Sequence, residues 1–512
     1  MRRPYLIIII LGLCVYFNAL RGTFIWDDEF VVRQNHLIRS WSNIPAVFTR
    51  NVASGGGGGE ILTFYRPLQI FTYMADYSLW RLIPAGYHLT NIALHIAASL
   101  ALCWFVTLLF QDTLLSAIAG ALFIIHPIHT EAVAYITGRA DPLVAVFVFL
   151  SLIFYIRQAR SRTTMPYAFA VAMFILAYVS RENSLILVLL YLLYHYTFKE
   201  KLDRKRFLPF CAITLLYIFL WMRLLRSYNT PDVWSSTLLQ RLPGFFVALA
   251  TYIRLLFLPL GLHMEYTTKL FSITHPAAVL GMALFAALLA CALWSRTRNQ
   301  LVFFSIAWFF ITLFPSSNLI PLNAYMAEHW LYLPSVGFFL IGAQGLSRLY
   351  RSKNARGLAV ACIIGILLFY SSATIKQNTY WKDPITLYEH TLRFAPESGA
   401  LLNNLGITYA YAGENEKAIA CLTKAIRVEP NLPQAYNNLG FTYLRTGRTD
   451  EAISLCRKAI QINPYYANAY SNLATAYFRK GEYAPAIEYC DKARELGFPN
   501  NALEEALKPY RR

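Results

Sequence analysis

The chain has 512 residues, 57% of them hydrophobic and 14% charged, whereas soluble domains average roughly 45–50% apolar and about 25% charged residues. That composition excludes an ordinary soluble globular protein and indicates an integral membrane protein. The net charge of +18 does not imply a nucleic-acid partner, because the basic residues form no single patch or stripe. They fall in short loops between apolar runs, "RQARSR" (157–162), "KEKLDRKR" (199–206), "SRTRN" (295–299) and "SRLYRSKNAR" (347–356), as the positive-inside rule expects of the cytoplasmic side.

In chain order, "MRRPYLIIIILGLCVYF" joins a charged start to an apolar run, and no small-x-small cleavage site follows in "NALRGTF". An uncleaved first span is expected. Further apolar runs recur as far as Tyr370, many near the ~20 residues that cross a bilayer. With Arg2 and Arg3 inside, residues 21–87 form a long external loop, 111–113 an internal turn, 126–138 an external loop, and "SREN" (180–183) an external turn. The run 242–260 is ambiguous, since Arg241 precedes it and it carries Pro243, Arg254 and Pro259. If it spans, the six Lys and Arg of 295–299 and 347–356 lie outside. An interfacial or re-entrant segment keeps them inside, with about eleven spans and an external C-terminal region. Eight cysteines are scattered without a C-x-x-C pair, which is neither a disulfide framework nor a metal motif.

This topology places Asp27, Asp28, Glu29, Arg66, His126, His129, Glu131, Arg139, Asp141, Arg181, Glu182, Glu328 and His329 on the external face. Transfer of a sugar from a lipid-phosphate donor to a hydroxyl needs a carboxylate for the proton and positive charge for the departing phosphate. Asp27 and Asp28 with Arg66, Arg139 and Arg181 supply both. Adjacent carboxylates also suit a divalent cation held on their oxygens, so base and cation pair both stay open. Each feature has a plainer reading: "DDE" as a solvated loop start, "GRAD" (138–141) as an Arg139–Asp141 ion pair, "YRPL" (65–68) as an interfacial anchor, and "AEHWLYLPSVGF" (327–338) as an aromatic belt. H-x-x-H-x-E at 126–131 lacks the H-E-x-x-H zinc pattern. The five glycines at 55–59 read as a flexible loop rather than a phosphate cradle.

After Tyr370 the apolar runs stop. From residue 396 the sequence repeats every 34 positions: Pro396, Pro430 and Pro464; "NNLG", "NNLG" and "SNLA" at 403, 437 and 471; Gly413, Gly447 and Gly481. This is the tetratricopeptide period, giving repeats at 396–429, 430–463 and 464–497, a degraded helix in 381–395 and a closing helix at 500–511. Asn404, Asn438 and Asn472 would line one groove face and hold an extended acceptor peptide, or are ordinary consensus positions of the repeat. The expected fold is all-α: a polytopic membrane helix bundle (1–375) followed by a soluble α-solenoid (381–512).

"WDD" after the first span, then "YRPL", "YHLTNIALH" (87–95), "HPIHTEAVAYITGRADPL" (126–143), "SREN", "FPSSNLIPLNAYMAEHWLYLPSVGF" (314–338) and the repeats together resemble the transmembrane-and-tetratricopeptide-repeat protein O-mannosyltransferases. The resemblance covers nearly the whole chain, and the motif order is more specific than any one motif. It implies the GT-C membrane glycosyltransferase fold and a polyprenyl-phosphate donor carrying mannose or another hexose. It also implies Ser or Thr acceptors on exported proteins, bound through the repeats, and an exoplasmic site facing the periplasm or the lumen of the endoplasmic reticulum. Asp27 and Asp28 would carry the catalytic carboxylate, while Arg139, Asp141, Glu182 and Glu328 match further family motifs. His329 departs from the family's arginine, and the array of about three full repeats is shorter than in many members. The alternatives are the same chemistry on a lipid or envelope glycan, and a membrane-tethered scaffold whose charges pair between spans.

Overall fold

The computed structural model describes residues 2–52, 54–56, 64–161, 164–225, 237–266, 270–319, 322 and 324–511. Among these the chain is helical, without a strand, and it divides into two compact units, Met1–Asp383 and Pro384–Arg512. Of the glycine run, 57–59 lie outside the described residues.

In the first unit six helices among the described residues are long and apolar enough to cross a bilayer: Pro4–Arg21, Pro84–Phe110, Thr137–Arg160, Arg204–Arg223, Pro276–Ser295 and Arg356–Tyr380. A seventh is the pair Thr113–Ile125 and Pro127–Ala134, bent by 53°. His126, which precedes a proline, is extended there (ψ 128°) because the proline ring disfavours the helical conformation before it. Thr164–Ser180 and Gln300–Ser316 are apolar but shorter, and Leu187–Phe198 and Ser335–Arg351 fill the remaining expected positions. Counted with these shorter helices, the apolar segments of the first unit match the expected number of about eleven, though among the described residues six, or seven with the bent pair, are long enough to cross a bilayer alone.

Lipid supplies little hydrophobic drive between helices, so close packing holds such a bundle. A Cβ on Gly337 would strike the Ser305 carbonyl, and one on Gly120 the Cys103 sulfur. The loops then sort to two ends. At one end Arg351 pairs with Asp112 at 2.6 Å, Arg160 donates to the Leu108 carbonyl at 3.1 Å, and Asn299 donates to Gln344 at 3.0 Å. At the other, Asn18 donates to the Ile375 carbonyl at 2.8 Å and Asn378 to the Val15 carbonyl at 2.9 Å.

The ambiguous segment is the helix Leu238–Phe257. Arg241 in its first turn donates to the Asn318 carbonyl at 2.8 Å, and Tyr252 near its end donates to the Ala327 carbonyl at 3.2 Å. Both partners lie between the helices Gln300–Leu313 and Ser335–Arg351. A helix of this length runs about 30 Å, yet both of its halves are tied to that one stretch of chain.

In the second unit three antiparallel pairs follow one another: Gly399–Ala412 with Asn415–Val428, Pro433–Arg445 with Thr449–Ile462, and Ala467–Lys480 with Tyr483–Glu495. Gly413 and Gly481 end the first helix of their pairs at φ 85° and 78°, a left-handed cap that costs glycine no Cβ clash. Asn501–Leu507 closes the array.

Candidate active site

Residues 25–30 turn sharply after the first span, and Asp28 is the pin of that turn. It is fully buried; one carboxylate oxygen accepts from the Ile25 amide (3.0 Å), the other from the Thr137 amide (2.9 Å) and hydroxyl (2.6 Å). Burial pushes its carboxyl up to about 7, against the pull of those donors. Asp27 is only half-buried, and its amide donates to the Tyr135 hydroxyl at 3.2 Å. Burial raises its carboxyl to about 6, with the Tyr135 hydroxyl and the Arg66 charge acting the other way. Trp26 sits in the left-handed region at φ 50°. That strain costs a bulky residue on the order of 1–3 kcal/mol and persists only when the surroundings impose it.

Arg66 grips Glu182 with two nitrogens, at 3.1 and 2.5 Å. Burial works against the Glu182 charge, but the guanidinium outweighs it and holds the carboxyl down at about 2. Arg181 pairs with Asp141, and Arg66 lies close enough to act on both Asp27 and Asp141. Glu131 accepts from the His329 amide at 3.0 Å and faces its Nδ1 at 2.7 Å. Glu328, buried, accepts from the His263 amide (2.5 Å) and the Tyr266 hydroxyl (2.7 Å). Burial and the neighbouring Glu131 push its carboxyl well up. Residues 22–52, 64–66, 126–141, 180–186, 258–266 and 324–334 are thereby drawn together into one charged region.

Three expected substrate contacts are instead internal. Arg139 is completely buried: it pairs with Asp76 at 2.6 Å, not with Asp141, and donates to Asn91 (2.8 Å), the Tyr87 carbonyl (3.0 Å) and Thr72 (3.2 Å). Its donors are committed to protein oxygens. His126 donates from Nε2 to the Leu256 carbonyl at 3.1 Å while Nδ1 accepts from the Ile128 amide at 3.2 Å. His129 donates from Nδ1 to the Phe123 carbonyl at 2.8 Å and meets the Ser335 hydroxyl at 3.0 Å. Both rings are fully buried and tie loops to helices. The cation alternative for Asp27 and Asp28 also fits poorly. Between them the two Asp28 oxygens already accept three bonds from protein donors.

Tyr135, Thr137 and Asp76 hold the acids and Arg139, and no sequence motif marks them. The first two lie within residues 126–143, but nothing in their spacing reveals that they face residues 27 and 28. An apolar cavity of about 620 Å³ opens between Leu238–Phe257, Pro276–Ser295 and Gln300–Leu313, walled by Phe245, Phe246, Phe285 and Phe310.

In the second unit the asparagines form a ladder. Asn438 donates to Asn403 and Asn472 to Asn437, each at 2.9 Å, and Asn404 accepts from Asn403 at 3.3 Å. Asn404, Asn438 and Asn472 are half-buried; Asn438 and Asn472 spend amide bonds on joining successive repeats, while Asn404 bonds to its own neighbour Asn403.

Fold and site together define a membrane-type helical bundle with an acidic, arginine-lined face, joined to a tetratricopeptide unit. Family models described as tetratricopeptide repeat and TPR repeat match residues 431–497 and 406–447. The chain is 26% identical over 448 residues to protein O-mannosyl-transferase F38B6.6 of Caenorhabditis elegans, covering 84% of this chain and 63% of that one. It is 26% identical to protein O-mannosyl-transferase TMTC3 of Homo sapiens, covering 81% and 50%. The chain therefore spans less than two thirds of these curated relatives' length, and the resemblance to TMTC-type protein O-mannosyl-transferases runs over about four-fifths of its own. Among solved structures, the first TPR of Spaghetti (RPAP3) bound to an HSP90 peptide aligns at 27% identity over 22% of this chain and 89% of that one, with a TM-score of 0.21.

Proposed function

We propose that the chain is a membrane glycosyltransferase that moves mannose or another hexose from a polyprenyl-phosphate donor to Ser or Thr hydroxyls of exported proteins on the exoplasmic side. The observation that carries this is the division of labour in the acid pair: Asp28 is locked by three donors, while Asp27 is left half-exposed within reach of Arg66. The similarity to protein O-mannosyl-transferases over four-fifths of the chain supports it.

In this reading Asp27 takes the acceptor hydroxyl's proton as its oxygen bonds to the anomeric carbon. The bond from that carbon to the phosphate oxygen breaks, and the electron pair leaves with the phosphate. Arg66 and Arg181, held by Glu182 and Asp141, face the departing charge with geometry set before the reaction. The donor's hydrocarbon chain stays at membrane depth, where the Phe-walled cavity offers room. The tetratricopeptide unit presents the acceptor polypeptide, as such arrays commonly do.

Glycopeptide mass spectrometry of exported proteins, from cells carrying the wild-type chain or the Asp27→Asn variant, tests reaction, sugar and acceptor together. Hexosylated Ser or Thr should appear only with the wild type. Unchanged exported glycopeptides alongside an altered lipid or surface glycan would move the acceptor class, and no change in either would overturn the enzyme reading.

A further inference from the structure

Three aromatic rings stack beside Asp27. Trp381 is 1% exposed and lies 5.6 Å from Tyr135 at an interplanar angle of 29°; Tyr135 is 6% exposed and lies 6.0 Å from Trp26 at 19°. Only the last ring, Trp26, is open, at 40% exposure. The stack is built rather than incidental. Trp26 is held at φ 50°, the following amide is bonded to the hydroxyl of the same Tyr135, and two residues on Asp28 is locked to Ile25 and Thr137. The outer indole is thus fixed in position one residue from the half-exposed carboxylate.

A tryptophan at this depth also suits an interfacial anchor. An anchor needs only an amphipathic ring and no particular orientation. It does not account for a strained backbone, a ring seated flat on a buried aromatic pair, or adjacency to Asp27. What those features provide is a flat, rigid, electron-rich surface with one side filled by protein. Hexopyranose rings carry a face lined by C–H groups whose positive edges suit such a surface, while their hydroxyls remain free for water and polar side chains.

We propose that Trp26 is the platform on which the hexose of the lipid-phosphate donor lies, so that the indole positions the sugar for attack at its anomeric carbon. This rests on the glycosyltransferase reading above and adds to it the residue that senses the sugar itself. Asp27 and Arg66 handle the proton and the phosphate, and neither distinguishes a sugar-bearing donor from a bare lipid phosphate.

The test uses the full chain in lipid nanodiscs, with polyprenyl-phosphate mannose and bare polyprenyl phosphate as probes. For the wild type, Trp26→Phe and Trp26→Leu, the ratio of the two dissociation constants is measured, with donor KM, acceptor-peptide KM and kcat. Ring stacking worth about 0.5–1.5 kcal/mol corresponds to a roughly two- to twelvefold change. Trp26→Leu should lower the preference for the sugar-bearing lipid by that factor, raise donor KM in step and leave acceptor KM unchanged. Trp26→Phe should stay near the wild type. If Trp26→Leu does not fold, Trp26→Met replaces it with another unringed apolar side chain. An unchanged ratio in the unringed variant overturns the platform, as does equal impairment of Phe and Leu, which is the behaviour of an anchor. A wild type that prefers the mannosyl lipid but transfers nothing would overturn the transfer reading and leave the platform to be judged on the ratio alone.

Discussion

Asp28 and Thr137, 109 positions apart in the chain, are joined twice, amide to carboxylate at 2.9 Å and hydroxyl to carboxylate at 2.6 Å. That double link staples the loop after the first span to the loop before the Ala140–Ser161 helix. It also commits both Asp28 oxygens to protein donors, so in the proposed reaction Asp27 is the acid that meets substrate.

The two acids should therefore fail differently. Asp27→Asn should abolish transfer while thermal unfolding of the solubilised protein stays near the wild type. Asp28→Ala strands buried donors at about 1–3 kcal/mol each, so it should lose both activity and several degrees of thermal stability. Equal stability of the two variants would remove the staple role.

Asp27 must be ionised to act as a base, and its carboxyl is raised to about 6, chiefly by burial. Transfer should therefore fall on the acid side with a midpoint near pH 6, rising as the proton is lost. The Arg66 charge favours the ionised form, so Arg66→Gln should move that limb to higher pH as well as weaken donor binding. A limb in the ordinary carboxylate range, unmoved by Arg66→Gln, would argue against Asp27.

Arg139 and Asp76 form a buried pair at 2.6 Å. Breaking such a pair from one side typically costs about 3–5 kcal/mol. Arg139→Gln should accordingly reduce yield and unfolding temperature, and Arg139→Gln with Asp76→Asn should recover part of the loss. Any folded Arg139→Gln protein should keep a wild-type donor KM, whereas a phosphate ligand would show a selective rise.

The tie of Leu238–Phe257 to the stretch between Gln300–Leu313 and Ser335–Arg351 bears on topology. In a chain with its cysteines replaced, a cysteine at Ser272 should react with a membrane-impermeant thiol reagent applied from the exoplasmic side. One at Arg298 should be protected until the membrane is opened. Labelling of both from the same side would mean that the loops flanking Pro276–Ser295 do not alternate as proposed.

The asparagines of the repeat unit show where pattern reading reaches its limit. A 34-residue period is visible in the string because every repeat must bury the same small and apolar positions against its neighbours. Whether Asn438 faces a ligand or Asn403 is a matter of side-chain direction, which the period does not encode. The same holds for "GRAD", where the neighbour in sequence, Asp141, is not the partner of Arg139.

From the string alone came the membrane composition, the helical segments, the repeats, and the grouping of stray charges in loops of one parity. These are legible because they depend on local hydropathy, period and the sign of loop charge. Tertiary structure divided those charges by burial and partner. Arg139, His126 and His129 turned inward, Asp28 became a staple, Arg66 was buried against Glu182, and Asp27 and Glu182 stayed half-buried. The reason is that the partners lie far apart in the chain, as with Arg66 and Glu182, 116 residues apart. Only the packing of helices decides which of many acids and bases meet, and how tightly each charge is held by its partners.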